Sequence, residues 1–128
     1  MKVPKFLSPE SVLAIHNQQL FLHGGAEGIR NYGLFESAIN RAVNSYNYNV
    51  NDIYKLAADY AFGIIKNHTF VDGNKRVGFM ACALFLAKNG IELIAAEEDA
   101  YISVIELAEG SFSENDFADW LKNNSAKI

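Results

Sequence analysis

Nine consecutive residues in mid-chain gather the side-chain types that chemistry needs. From His68 to Arg76 the sequence reads H-T-F-V-D-G-N-K-R. His68 can take or give a proton near neutral pH. Asp72 suits Mg²⁺, an ion usually held by one or two carboxylates together with substrate phosphates. Gly73 lets the backbone bend tightly and come close to a ligand. Asn74 offers amide donors, and Lys75 and Arg76 offer positive charge of the kind that binds phosphate. Phe70 reads as a structural anchor that pins the loop to a core. An imidazole, a carboxylate, an amide and two cations at these spacings point to chemistry on phosphate.

The elements that must position this cluster are helices. The stretch from Asn74 to Asn89 reads as a helix stopped by Asn89-Gly90. Val77, Phe79, Met80, Ala81, Cys82, Ala83, Leu84, Phe85 and Leu86 make it apolar nearly all round, which places it at the buried centre of the fold. Its entrance, where free N–H groups and the positive helix pole attract anions, carries the polar cluster. Asp52 to Asn67 reads as the helix that delivers His68. Its Ile53, Leu56, Ala57, Tyr60, Ala61, Ile64 and Ile65 follow helical spacing.

Upstream, Ser8-Pro9-Glu10 is a helix start with a Ser cap and Pro at the first position, and the helix runs to His23-Gly24-Gly25. Its His16 and His23 lack partners at metal-ligand spacing and read as surface or capping residues. A further helix runs from Leu34 to about Tyr46. Asn44 to Asn51, rich in Asn, Ser and Tyr, reads as a loop. Downstream, Ile91 to Ile94 is a short apolar link, and Glu97 to Ala108 is helical up to Gly110. Ser113, with Asp116 three residues on, opens a last helix through a capping box. The tail from Lys122 to Ile128 is expected to fray. Successive helical periods with short connections predict an all-α domain of about six helices, spanning 1–128.

Composition excludes several classes. The 128 residues are 50% hydrophobic and 20% charged, enough for one compact core. A net charge of −4 with no basic stripe argues against direct nucleic-acid binding. The lone Cys82 excludes an intrachain disulfide and suits a reducing cytoplasm. No secretory leader and no apolar run long enough to span a membrane are read, so a membrane partner is not expected.

The spacing His-x-Phe-x-Asp-Gly-Asn-Lys-Arg resembles the signature of the Fic/Doc (Fido) family, His-x-Phe-x-Asp/Glu-Gly/Ala-Asn-Gly/Lys-Arg. The length, the mid-chain motif and the run Gly33 to Ala42 are similar to the short death-on-curing (Doc) branch, although Ala42 stands where that branch usually has Pro. The resemblance implies a helical Fido-type domain, and a toxin that transfers a phosphoryl group from ATP with Mg²⁺ to a hydroxyl of elongation factor Tu, inhibiting translation. It makes His68 the general base, with Asp72 supporting Mg²⁺ or a catalytic water and Arg76 acting on the transition state. It gives Gly73, Asn74, Lys75 and Arg76 to the phosphates. It also implies a flap that docks the target before the motif, for which the 44–51 loop is the candidate.

Two readings compete with this one. Adenylylating Fic proteins usually carry Gly where this chain has Lys75, and a second Arg where it has Phe79, so phosphorylation is favoured over AMP transfer. A non-enzymatic helical binding module, with His68 to Arg76 only a polar loop capping a helix, would need none of these roles. The inhibitory pattern Ser/Thr-x-x-x-Glu-Gly/Asn found in some Fic proteins is missing: Ile105 precedes Glu109-Gly110, and His23 precedes Glu27-Gly28. Restraint is therefore expected in trans, from a small antitoxin whose C-terminal segment folds into an exposed apolar groove beside the motif.

Overall fold

The computed structural model describes residues 3–128. The elements follow in the order α1 (Pro9–His23), α2 (Tyr32–Asn47), α3 (Ile53–Lys66), α4 (Asn74–Lys88), β1 (Ile91–Leu93), α5 (Glu97–Glu109), α6 (Glu114–Asn123) and β2 (Ser125–Lys127). The helix starts obey local chemistry. Ser8, Asn31, Asp52 and Ser113 cap α1, α2, α3 and α6 with side-chain oxygens, and Asp116 completes the capping box of α6.

The most enclosed helix is α3. Leu56, Ala57, Ala58, Tyr60, Ala61 and Ile64 have no exposed surface, because α2, α4, α5 and α6 all pack on this helix. This corrects the expectation that α4 is the buried centre. α4 turns Val77, Gly78, Ala81, Cys82, Phe85 and Leu86 inward, but its far side is covered only in part by α1. Met80 stays exposed there, as do Ala87 and Lys88. Glycines allow the close approaches around α3. A Cβ at Gly63 would lie 3.2 Å from Ala38 Cα, and one at Gly78 would lie 3.2 Å from the Ala61 carbonyl.

The segment expected to fray is ordered instead. Ser125–Lys127 pairs antiparallel with Ile91–Leu93, and Ile94 N–H donates to the Asn124 carbonyl at 2.7 Å. The ribbon closes the end of α4 opposite the motif. Asn89 secures the N-terminal segment there, its side chain bonding both the N–H and the carbonyl of Lys5. Among the described residues, no helix is long and apolar enough to cross a membrane.

Candidate functional site

The site is built where α3 ends and α4 begins. Asn67 caps α3, and His68 follows at φ +47°, the left-handed turn that usually takes glycine at a helix end. His68 is thereby turned out to solvent. Phe70 goes the other way. It is buried, meets Phe35 edge-on at 6.0 Å and stacks on His16 at 4.0 Å and 12°. Asn74 brackets Phe70, with its Oδ1 accepting from the Phe70 N–H and its Nδ2 donating to the Phe70 carbonyl, both at 2.9 Å.

A second strand of chain braces the loop from outside. Val71 N–H donates to the Gly28 carbonyl and Arg30 N–H to the Thr69 carbonyl, each at 3.0 Å. The Arg30 guanidinium then caps the end of α3, giving Nε to the His68 carbonyl at 2.9 Å and Nη2 to the Asn67 carbonyl at 3.0 Å.

Asp72 lies at the lip. Its Oδ1 accepts from the Gly73 N–H at 2.9 Å, and its Oδ2 is 3.4 Å from the Ala26 N–H. Gly73, at φ +84°, is the N-cap of α4, and no side chain caps that helix. A Cβ at Gly73 would meet nothing within 4 Å, so open space faces the turn. Lys75 and Arg76 are exposed and pair with no acidic side chain among the described residues. His68, Asp72, Gly73, Lys75 and Arg76 line one groove of about 400 Å³, completed by Lys66, Tyr101 and Ala108. Larger hollows of about 660 and 760 Å³ lie along the Asn89 end and between α1 and α4, but neither joins a base to an acid. An uncapped helix start, two unpaired cations and open space at a left-handed glycine suit an anion of phosphate size. Asp72 alone makes no metal cage, and no cluster of three potential ligands occurs among the described residues. The donor set fits Mg²⁺ that arrives with substrate phosphates.

The sequence matches the model of the Fic/DOC family over residues 6–86. The chain belongs to the Fic/Doc family. It is 30% identical over 119 residues to "Protein kinase doc" of Escherichia phage P1, covering 92% of this chain and 94% of that protein. It is 35% identical over 95 residues to "Toxin Doc" of Mycolicibacterium smegmatis, covering 71% of this chain and 69% of the relative.

Three sequence readings need correction within this Fic/Doc frame. The Asn74 amide, read as a phosphate donor, is largely committed to Phe70 through its Oδ1 and one Nδ2 hydrogen, which leaves its second Nδ2 hydrogen and its backbone N–H for an anion. His16 is buried, not a surface or capping residue: its Nε2 lies 3.3 Å from the Asp72 carbonyl. Burial lowers its pKa, against the opposing pull of that hydrogen bond and of the Asp72 and Glu27 charges, which favours the neutral ring. The 44–51 stretch is not beside the motif. Asn44–Asn47 belong to α2, and the rest sits at the start of α3, a 14-residue helix away. The segment next to the motif is Gly24–Arg30. Its glycines and the Arg30 charge were the available signal, but nothing local shows their pairing with Thr69 and Val71.

A polar cluster outside the groove also escaped the sequence reading. Asp59 of α3 is buried, and Arg41 of α2 bridges it to Glu114 of α6 at 3.2 and 2.7 Å. The Arg41 Nε is within ion-pair distance of Asp59 but misaligned for a hydrogen bond. Burial above all, then Glu114, raises the Asp59 pKa to about 7, opposed by Ser45 and Arg41.

Proposed function

We propose that this Fic/Doc chain is a Doc-like toxin: an ATP-dependent phosphotransferase that moves the γ-phosphoryl group to a hydroxyl of a protein. Elongation factor Tu is the proposed target, and the proposed setting is the cytoplasm. The observation that carries the reading is the shared groove, which has an exposed imidazole on one wall and an uncapped helix start with free cations on the other.

In this mechanism His68 takes the proton of the attacking hydroxyl. The N–H groups that open α4, together with Lys75 and Arg76, hold the phosphates and balance the charge that shifts during transfer. Asp72 would hold Mg²⁺, which would supply charge neutralisation for the substrate phosphates. Phe79, in the place of a second phosphate-holding arginine, is half-buried against the core and offers no charge, which favours phosphorylation over adenylylation. Restraint falls to an antitoxin segment. The hollow of about 760 Å³ between α1 and α4, lined by Ala14, Ile15, Met80, Ala83, Leu84 and Ala87, is the apolar seat we propose for it, although no residue from His68 to Arg76 lines that hollow and the sequence reading places the groove beside the motif.

The test compares γ-labelled and α-labelled ATP in a cell lysate with wild type and His68→Ala. Protein labelling from the γ position alone, reduced about 10²–10⁴-fold in the variant with fold and ATP binding kept, is expected. Label from the α position alone would replace the kinase reading by adenylylation. Growth inhibition that persists in His68→Ala and Arg76→Ala would favour a non-enzymatic binding module.

A further inference from the structure

We propose that His16 is a positioning residue for Asp72, an inference that deepens the phosphotransfer reading and rests on it. His16 shares the inward face of α1 with Val12 and Ile15 and is 3% exposed. Its aromatic stack and its hydrogen bond both fall on the motif loop. The ring stacks on Phe70, and the Nε2–H donates to the Asp72 carbonyl at 3.3 Å.

The second contact decides an orientation. A trans peptide is planar, so its C=O and N–H point to opposite sides. With the Asp72 carbonyl held toward His16 inside, the Gly73 N–H faces outward, where it meets Asp72 Oδ1 at 2.9 Å. His16 therefore sets the side of the turn on which the carboxylate sits. Gly73 cannot set this by itself, because glycine takes φ of either sign at little cost. The remaining braces stop short of this peptide. Asn74 holds Phe70, while Gly28 and Arg30 reach Val71 and Thr69. The Asp72 carboxylate is also approached by the Ala26 N–H at 3.4 Å and packs against Gly25, where a Cβ would come within 2.9 Å of Oδ2, but neither reaches the Asp72 carbonyl. A misplacement of about 1 Å at a reacting group can cost about 10²-fold in rate.

Two substitutions separate positioning from packing. His16→Phe keeps the stacked ring and loses the donor. His16→Gln loses the ring and keeps an N–H at similar reach. With γ-labelled ATP and lysate protein as acceptor, His16→Phe is expected to lower kcat about 10–10²-fold with KM for ATP within about twofold, while His16→Gln regains most of the loss. Equal loss in both variants, or a His16→Phe protein with full kcat, overturns the proposal. A readout without turnover is the amide spectrum of ¹⁵N-labelled protein. The Gly73 resonance is expected to shift or broaden in His16→Phe and to stay near its wild-type place in His16→Gln. An unmoved Gly73 resonance in His16→Phe overturns the proposal as well. If wild type transfers no γ-label, the phosphotransfer reading fails, and the Gly73 resonance alone decides the role of His16.

Discussion

Replacing Asp59 by Asn should stabilise the protein at alkaline pH and leave it nearly unchanged in acid. Asp59 has its pKa raised from 3.8 to about 7, first by burial and next by Glu114. The native state therefore binds this proton more tightly than the unfolded chain does. The associated stability is full below about pH 4, declines as pH rises through 7, and is absent above. The whole shift corresponds to about 4 kcal/mol at 1.4 kcal/mol per unit. Arg41 leaves 39% of its side chain in solvent, and this screening reduces the expected effect to about 1–2 kcal/mol. For a chain of this size that is about 3–8 °C in Tm. Urea unfolding of wild type and Asp59→Asn at pH 4.5, 6 and 8, at one ionic strength, measures it. The difference between the two proteins isolates Asp59, because His16 acts with the opposite sign: its lowered pKa costs stability as pH falls. An advantage of the Asn variant that grows by about 1–2 kcal/mol from pH 4.5 to 8 is the expected result. A flat or shrinking difference would refute the reasoning, because Asp59 would then be ionised throughout and Arg41 its stabilising partner.

Asn74→Ala removes both bonds to the Phe70 backbone and should cost about 1–3 kcal/mol, with faster hydrogen exchange at the Phe70 amide. Gly78→Ala puts a Cβ 3.0 Å from Ile65 Cγ1 and 3.2 Å from the Ala61 carbonyl, so the urea midpoint should fall, by about 1–2 kcal/mol of stability, despite the better helix former. Cys82 is fully buried and burial pushes its thiol pKa strongly up, so thiol reagents at pH 8 should label the protein in denaturant and spare it when folded.

The sequence made local features legible and hid non-local ones. The Ser8 cap and the Ser113–Asp116 box are written within four residues each, and the structure has them there. The motif was legible because its residues are adjacent. The β1–β2 ribbon was not, because three-residue strands carry no period and their partners lie more than thirty residues apart. α4 reads as the centre because its apolar residues fall on all sides, yet burial depends on how many neighbours surround a helix, and α3 has more of them. His16 could have been found: it stands four residues after Val12 and one after Ile15, on the buried face. Asp59 sits inside the apolar run from Leu56 to Ile65, and nothing nearby reveals that Arg41 and Glu114 come to meet it.

The loop from His68 to Gly73 is held by Asn74, Arg30, Gly28 and His16, all from the same chain. Ordering one backbone residue costs about 1–2 kcal/mol, and a ligand entering this groove is spared that cost across the turn. Small, weakly bound anions can therefore register there. A partner that silences the site by melting the turn would have to break all four sets of contacts at once. Obstructing the groove from above breaks none of them, so blockade is the less demanding route to inhibition.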